Sequence, residues 1–162
     1  SRETLDTSEI SNLYYNNKVI PHYRLQTYPD GGLFTSSGDL GLLLMDLIKG
    51  QSGSHSLLRK DSYIELFGSQ VLPQPADKLN MENPAFSVRY DRGIFMGKSQ
   101  NDYFGHTGGD FGLVSLMFFN PHDNFGQIVI VNTHIEGSDE QLLEDLWRIW
   151  DTLEAYKSKF KE

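Results

Sequence analysis

The fold is decided by the stretch Tyr103-Phe104-Gly105-His106-Thr107-Gly108-Gly109-Asp110-Phe111-Gly112. It leads into an apolar run at 113–119, a turn rich in Asn, Pro, Asp and Gly at 120–126, and a second apolar run at 127–131. Residues of these types start and close turns. We therefore predict two long antiparallel strands joined by a loop, with a glycine-rich polar entrance on the first. The glycines of this entrance would let backbone or a ligand approach where side chains would block it.

The composition is that of one soluble globular domain. The chain has 162 residues, a net charge of −8 and no cluster of basic residues, so nucleic acid and anionic membranes are poor partners. It has no cysteine, which excludes disulfides and thiolate metal sites. No apolar run in the sequence approaches the length of a membrane span.

Most of the histidines and two of the aspartates have simple explanations. Four histidines are scattered and lack the paired spacing or carboxylate neighbours of a metal site: His22, His55, His122 and His134. We interpret them as solvated loop residues and predict no metal and no cofactor. Asp30 and Asp39 are explained as a turn residue and a helix cap.

Two helices are predicted in the first half of the chain. The first follows Ser36, which has capping-box spacing with Asp39, and Gly50 closes it. Its apolar face is predicted to consist of Leu40, Leu43, Leu44 and Leu47. A second, shorter helix runs from a cap at Ser56 to Phe67.

A long helix is predicted from about Asp139 to Phe160, with Ser138 and Gln141 as a capping-box pair. Its apolar residues recur at four-three spacing: Leu142, Leu146, Ile149, Leu153, Tyr156 and Phe160. An apolar face of this width normally packs on a sheet. A coiled coil is the weaker alternative, because the pattern covers only three heptads and two tryptophans lie beside it.

The remaining segments are predicted to be extended or to form loops. Residues 1–30 lack clear periodicity and predict extended segments and turns, and 71–84 contain three prolines and predict a long surface loop. A strand is predicted at 86–97, broken near 91–93. With the hairpin it makes a three-stranded antiparallel meander. The predicted fold class is therefore α/β of the α+β type, an antiparallel sheet with flanking helices.

The segment His106-Thr107-Gly108-Gly109, followed by Phe111-Gly112 and an apolar strand, resembles an active-site motif of the serine β-lactamase and penicillin-binding-protein superfamily. It is similar to the histidine form of the third motif, the Lys-Thr-Gly box. That form occurs in D-alanyl-D-alanine carboxypeptidase-like and esterase-like members related to class C enzymes. Two other segments resemble the family in the same order: Tyr28-Pro29-Asp30-Gly31-Gly32-Leu33-Phe34-Thr35-Ser36 before a helix, and Val131-Asn132-Thr133 before the C-terminal helix.

This resemblance implies hydrolysis or transfer of an amide, β-lactam or ester through a serine acyl-enzyme. It implies catalytic roles for His106, as a donor to substrate or relay, and for Gly109, whose N–H would be one oxyanion donor. It implies that Thr107 binds substrate through its hydroxyl and that Gly108 lets substrate lie along the strand. The alternative explanation is a β-bulge that carries an ordinary strand histidine.

The family's other motifs, Ser-x-x-Lys and Tyr-x-Asn, lie upstream of the segments that match. Residues 1–162 are therefore expected to be a single partial domain, the C-terminal portion of a β-lactamase-like fold, inactive alone. Ser158-Lys159-Phe160-Lys161 and Tyr14-Tyr15-Asn16 spell these motifs literally, but neither has the family's order and structural context. Family resemblance also implies an extracytoplasmic location.

The expected partners follow from the same argument. A partial domain exposes apolar surface, which would pair with the N-terminal part of the same domain or form a homo-oligomer. In the full-length protein the ligand would be a small molecule or a peptide. The alternative function is a non-catalytic module of the same fold that binds a peptide or a protein partner. The tyrosines at 14, 15, 23 and 28 lie where the family has its cleft, although packing also explains them.

Overall fold

The computed structural model describes residues 7–26, 31–54, 57–68, 88–89, 97–99 and 103–160. Within these residues the chain forms two antiparallel sheets and three α-helices, as an α+β protein does. None of the described helices has the length and the apolar character needed to cross a membrane. Asp30, which was predicted to lie in a turn, and the predicted loop at 71–84 are outside the described residues.

The main sheet has the strand order β3-β4-β5-β6-β7, with every neighbouring pair antiparallel. Its strands are β3 (Val88–Arg89), β4 (Gly97–Ser99), β5 (Phe104–Asp110), β6 (Leu113–Asn120) and β7 (Phe125–Val131). A separate hairpin pairs β1 (Leu13–Tyr15) with β2 (Lys18–Ile20). The sheet therefore has five strands where the sequence predicted a meander of three. The segment predicted as one strand at 86–97 contains β3 and the first residue of β4.

The glycine-rich stretch is a strand of its own, whereas the sequence suggested the entrance to a longer strand. β5 pairs with β6 from Phe104 opposite Phe119 to Asp110 opposite Leu113, so a two-residue turn joins them. Gly112 in this turn has φ +84°, a left-handed conformation that glycine adopts without steric cost. The chain therefore reverses inside the stretch that carries the site.

Alternation along the strands divides the core into two clusters on opposite faces of the sheet. One cluster joins β5 and β6 to the first two helices through Leu44, Leu47, Tyr63, Phe104 and Phe119. The other joins β6 and β7 to the last helix through Leu116, Phe118, Val129, Leu146 and Trp150. We call these the α1 face and the α3 face.

Helix α1 (Ser37–Gln51) begins as the sequence predicts, because the Ser36 side chain accepts a hydrogen bond from the Asp39 N–H at 3.1 Å. The predicted closure at Gly50 is wrong, since this residue lies inside the helix. A Cβ there would approach the Tyr63 ring to 2.2 Å, so the glycine permits close packing of α1 on the next helix. The predicted apolar face is only partly correct, because Leu43 is exposed.

Helix α2 (Lys60–Phe67) is shorter than predicted. Its first flanking residue is Arg59, which makes no capping hydrogen bond through its side chain, and Ser56 lies outside the described residues. The helix is held to α1 by Tyr63, which is buried and donates a hydrogen bond to Asp46. Burial and this carboxylate raise the pKa of the Tyr63 hydroxyl.

Helix α3 (Glu140–Tyr156) continues as a 3-10 turn over Lys157–Phe160. Its cap is Asp139, whose carboxylate accepts from the Leu142 N–H at 3.2 Å, so the predicted Ser138 cap is wrong by one residue. The predicted apolar face packs on the sheet only in part. Four of its members are exposed, and we call them the α3 stripe: Ile149, Leu153, Tyr156 and Phe160.

A polar network explains why the α3 stripe turns away from the sheet. Glu154 accepts hydrogen bonds from Gln127 at 2.6 Å and from the Tyr103 hydroxyl at 3.1 Å. Lys157 contacts Glu154 at 3.1 Å and also pairs with Asp123. Because Gln127 is buried, its amide N–H needs such a partner, and the network fixes the rotation of the helix.

Among the glycines of β5, Gly105 leaves the least room for a side chain. A Cβ at this position would lie 2.0 Å from the Met117 carbonyl oxygen and 2.5 Å from the Phe118 ring. We expect Gly105→Ala to lower the free energy of unfolding by at least about 2 kcal/mol, because backbone must move to admit the methyl group. Urea unfolding, followed by circular dichroism, measures this loss.

Gly109→Ala on the same strand is the matched control. A Cβ at Gly109 meets no atom within 4 Å. We expect this variant to be unchanged or to gain up to about 1 kcal/mol, since alanine loses less backbone entropy than glycine on folding. Equal losses for the two variants would contradict the packing assigned to Gly105.

Candidate functional site

The four residues of the predicted site lie side by side on β5 and alternate between the two faces of the sheet. Phe104 lies on the α1 face, so His106 and Gly108 share that face, and Thr107 and Gly109 lie on the α3 face. His106 and Thr107 are half-buried, whereas Gly108 and Gly109 are exposed. The structure therefore leaves the glycine backbone accessible, in the part of the strand that precedes the turn.

The α1 face is unevenly covered around this strand. Helices α1 and α2 cover the end of β5 that contains Phe104. At the other end, Gly108, Ser115 and Ile130 form a row across three strands, in which Gly108 and Ile130 are exposed. We call this the Gly108 row. A Cβ on Gly108 would lie 2.5 Å from the Ser115 hydroxyl, so glycine avoids a collision between neighbouring strands in this row.

The pairing pattern also indicates where the backbone groups of Gly109 point. A two-residue turn is closed by a hydrogen-bonded pair, here Asp110 and Leu113, and such pairs alternate along an antiparallel ladder. We therefore expect Gly109 to occupy a pair without hydrogen bonds to β6, with its N–H directed away from that strand. Among the described residues, β4 pairs with β5 at Phe104 and Gly105.

The His106 ring makes a local contact that limits its chemistry. Its Nδ1 is hydrogen-bonded to the carbonyl oxygen of Thr107. A carbonyl only accepts, so Nδ1 carries the proton in this arrangement. In the neutral ring Nε2 is then an acceptor, and His106 donates through Nε2 only as the imidazolium.

An aromatic cluster covers the turn that follows the site. The ring centroids of Tyr15 and Phe111 are 5.1 Å apart, and His134 lies 5.0 Å from Phe111 and 5.4 Å from Tyr15. The Nδ1 of His134 also accepts from the Gly112 N–H at 3.5 Å. The interpretation of His134 as a solvated loop residue was therefore wrong, because it packs against the strand turn from a distant part of the chain.

Two tyrosine hydroxyls attach the N-terminal segment to the same region. Tyr23 donates to the Phe111 carbonyl at 2.7 Å, and burial together with the Asp110 carboxylate raises its pKa to about 12. Tyr15 donates to Glu136 at 3.0 Å, and this carboxylate raises the pKa of the hydroxyl. Tyr15 in the first hairpin and Tyr23 after it are therefore at the border of the candidate site, while Tyr28 lies outside the described residues.

The two literal motif strings occupy places unlike those of a catalytic motif. Tyr14 and Tyr15 are in β1, and Asn16 has φ 49° in the turn that follows. Ser158 is exposed in the terminal 3-10 turn and donates to the Ala155 carbonyl at 3.3 Å. Among the residues that the structure describes, no group of three or more histidine or acidic side chains is placed to hold a metal ion.

Comparison with known proteins gives no relative for this chain. No protein-family model, curated protein or solved structure matches it.

The hydroxyl of Tyr23 gives the site region a testable pH dependence. Its pKa is about 12 in the folded chain and about 10 when unfolded, so folding favours the neutral phenol. The stabilisation is complete below pH 10 and is lost as the pH rises towards 12, because the unfolded tyrosine ionises first. We expect the unfolding free energy of Tyr23→Phe to fall less steeply across this range than that of the native sequence.

Urea unfolding at a series of alkaline pH values measures the two slopes. Tyr156→Phe is the control, because Tyr156 is an exposed tyrosine on α3. Identical slopes for the native chain and Tyr23→Phe would contradict the burial of this hydroxyl.

Proposed function

We propose that this chain supplies one wall of a serine acyl-transfer site of the β-lactamase and penicillin-binding-protein type. In this proposal the nucleophilic serine and its lysine come from polypeptide outside the 162 residues. The substrate is an amide, a β-lactam or an ester. The observation that carries the proposal is the exposed Gly108–Gly109 backbone directly after His106 and Thr107 on a sheet strand.

The Gly108 row supports the proposal because a helix from outside the 162 residues can pack there. Gly108 and Ile130 are exposed beside the half-buried Ser115, on the face that α1 and α2 leave uncovered at this end. The exposed Gly108 carries no side chain, so another segment of polypeptide can approach the strand closely at this point. A helix seated there would bring its first residues towards His106 and Gly108, which lie on the same face.

The chemistry would proceed in two halves. The serine oxygen attacks the substrate carbonyl carbon, and its proton passes to a base outside this chain. The N–H of Gly109 and that of the serine hold the oxyanion, which collapses as the amine or alcohol leaves with a proton. Water then attacks the acyl ester in the same way, releases the acid and restores the serine.

The side chains before the glycines would orient the substrate. The Thr107 hydroxyl is a donor for a substrate carboxylate or carbonyl. His106 acts from the opposite face, where it accepts a hydrogen bond when neutral and donates one when it is an imidazolium. In the Lys-Thr-Gly form of the motif a lysine stands in this place, and its ammonium group is a hydrogen-bond donor at neutral pH.

The proposal is tested on the protein translated from the gene together with the sequence upstream of Ser1. We expect a fluorescent penicillin or a fluorophosphonate to label this protein and to leave the 162-residue chain unlabelled. Gly109→Pro should reduce the labelling rate by about a hundredfold, since the oxyanion donor is removed. Gly109→Ala, which keeps the N–H in open space, should label at close to the native rate.

Histidine variants separate a chemical role from a structural one. His106→Ala should slow labelling, and His106→Lys should restore most of it, because lysine supplies the donor that the motif requires. An upstream sequence without a Ser-x-x-Lys motif, or a full-length protein that neither reagent labels, would overturn the proposal. Binding of a peptide without labelling would instead favour the non-catalytic module.

A further inference from the structure

β7 is an edge strand without the usual protection of an edge. In the part of the chain that the structure describes, residues 125–131 pair with β6 alone, and the chain that follows them pairs with β1 through Tyr14 and Thr133. Its sequence, Phe-Gly-Gln-Ile-Val-Ile-Val, contains neither a charged residue nor a proline. Natural edge strands commonly carry such residues to prevent pairing with another strand. We propose that two copies of this chain pair through β7, antiparallel and about a two-fold axis, to form a continuous sheet.

The α1 face of β7 carries both halves of a self-complementary contact. A groove of about 360 Å³ lies between α1 and β7, lined in part by Leu42, Met45, Gly126 and Ile128. Four residues after Gly126, Ile130 projects on the same face and is 39% exposed. An antiparallel register centred on Ile128 places the partner's Ile130 opposite Gly126, at the groove. Since the axis is two-fold, the contact is made twice.

Exposed side chains on both helices border the same edge. On the α1 face, Leu42 is 63% exposed and Met45 is 49% exposed, and both line the groove. On the α3 face, the α3 stripe ends at Phe160, whose ring centroid lies 6.4 Å from that of Phe125 in β7. A two-fold axis normal to the sheet keeps each face on its own side. The apolar surface of α1 would therefore face α1 of the second copy, and that of α3 would face its α3.

The area and the charge of this surface suit a second copy of the chain. The surface combines the exposed side chains of Leu42, Met45, Ile130 and Phe160 with the strand backbone, and a standard interface takes about 800 Å² from each partner. β7 itself carries no charged side chain, and the Lys157 ammonium lies 5.6 Å from the ring centroid of Phe125 at its start. The net charge of −8 on each chain opposes association at long range, so added salt should tighten the dimer.

Sedimentation velocity of the 162-residue chain tests the pairing. We expect a dimer that forms across micromolar concentrations and tightens with salt. Ile130→Lys and Met45→Lys should each weaken it by about a hundredfold, because the symmetry brings the charge into both grooves. Ile64→Lys on α2, which changes a residue that is 62% exposed and distant from this edge, is the matched control. Unfolding curves establish that each variant folds.

A single cysteine reports the register, since the chain has none of its own. Ile128→Cys lies at the proposed axis and should form a disulfide with its own copy on mild oxidation, while Ile64→Cys should not. A chain that stays monomeric at every concentration and salt overturns the proposal. So does a dimer that tolerates Ile130→Lys, or one that crosslinks equally at both cysteines. These results are independent of penicillin labelling, so the two proposals fail separately.

Discussion

The ladder between β5 and β6 is the constraint on which the rest of the structure depends. Its register sets which face each residue of the glycine-rich strand occupies, and a slip of one residue would exchange the faces of His106 and Thr107. Gly105 is required by this register, because a Cβ at that position would collide with Phe118 and the Met117 carbonyl. The two core clusters, the helices upon them and the candidate site all take their positions from this pairing.

The sequence predicted those elements whose signals are local. The cap at Ser36 depends on a residue three positions away, and the apolar runs of β6 and β7 are continuous. The turn at Phe111 and Gly112 was not predicted, because no Asn-Gly or Asp-Gly pair marks it and the left-handed φ of Gly112 is invisible in the sequence. The rotation of α3 was also missed, since it depends on Glu154 contacts with Gln127 and Tyr103, 27 and 51 residues away.

In the candidate site, too, some features follow from local sequence and others only from contacts between distant residues. The placement of residues 106–109 on one strand followed from their spacing, and their alternation between faces follows from the period of a strand. The aromatic cluster over the turn joins Tyr15, Phe111 and His134, which are far apart in the chain. Nothing in the local pattern of any of them indicates the other two, so only the tertiary structure brings them together.

The division of the core into two faces has an optical consequence. Both tryptophans of the chain, Trp147 and Trp150, belong to α3, and Trp150 packs edge-on against Phe118 with the ring centroids 6.0 Å apart. The intrinsic fluorescence of the protein therefore monitors the docking of that single helix. Detachment of the first two helices from the opposite side of the sheet would leave the emission spectrum largely unaltered, so each half of the core requires its own spectroscopic reporter.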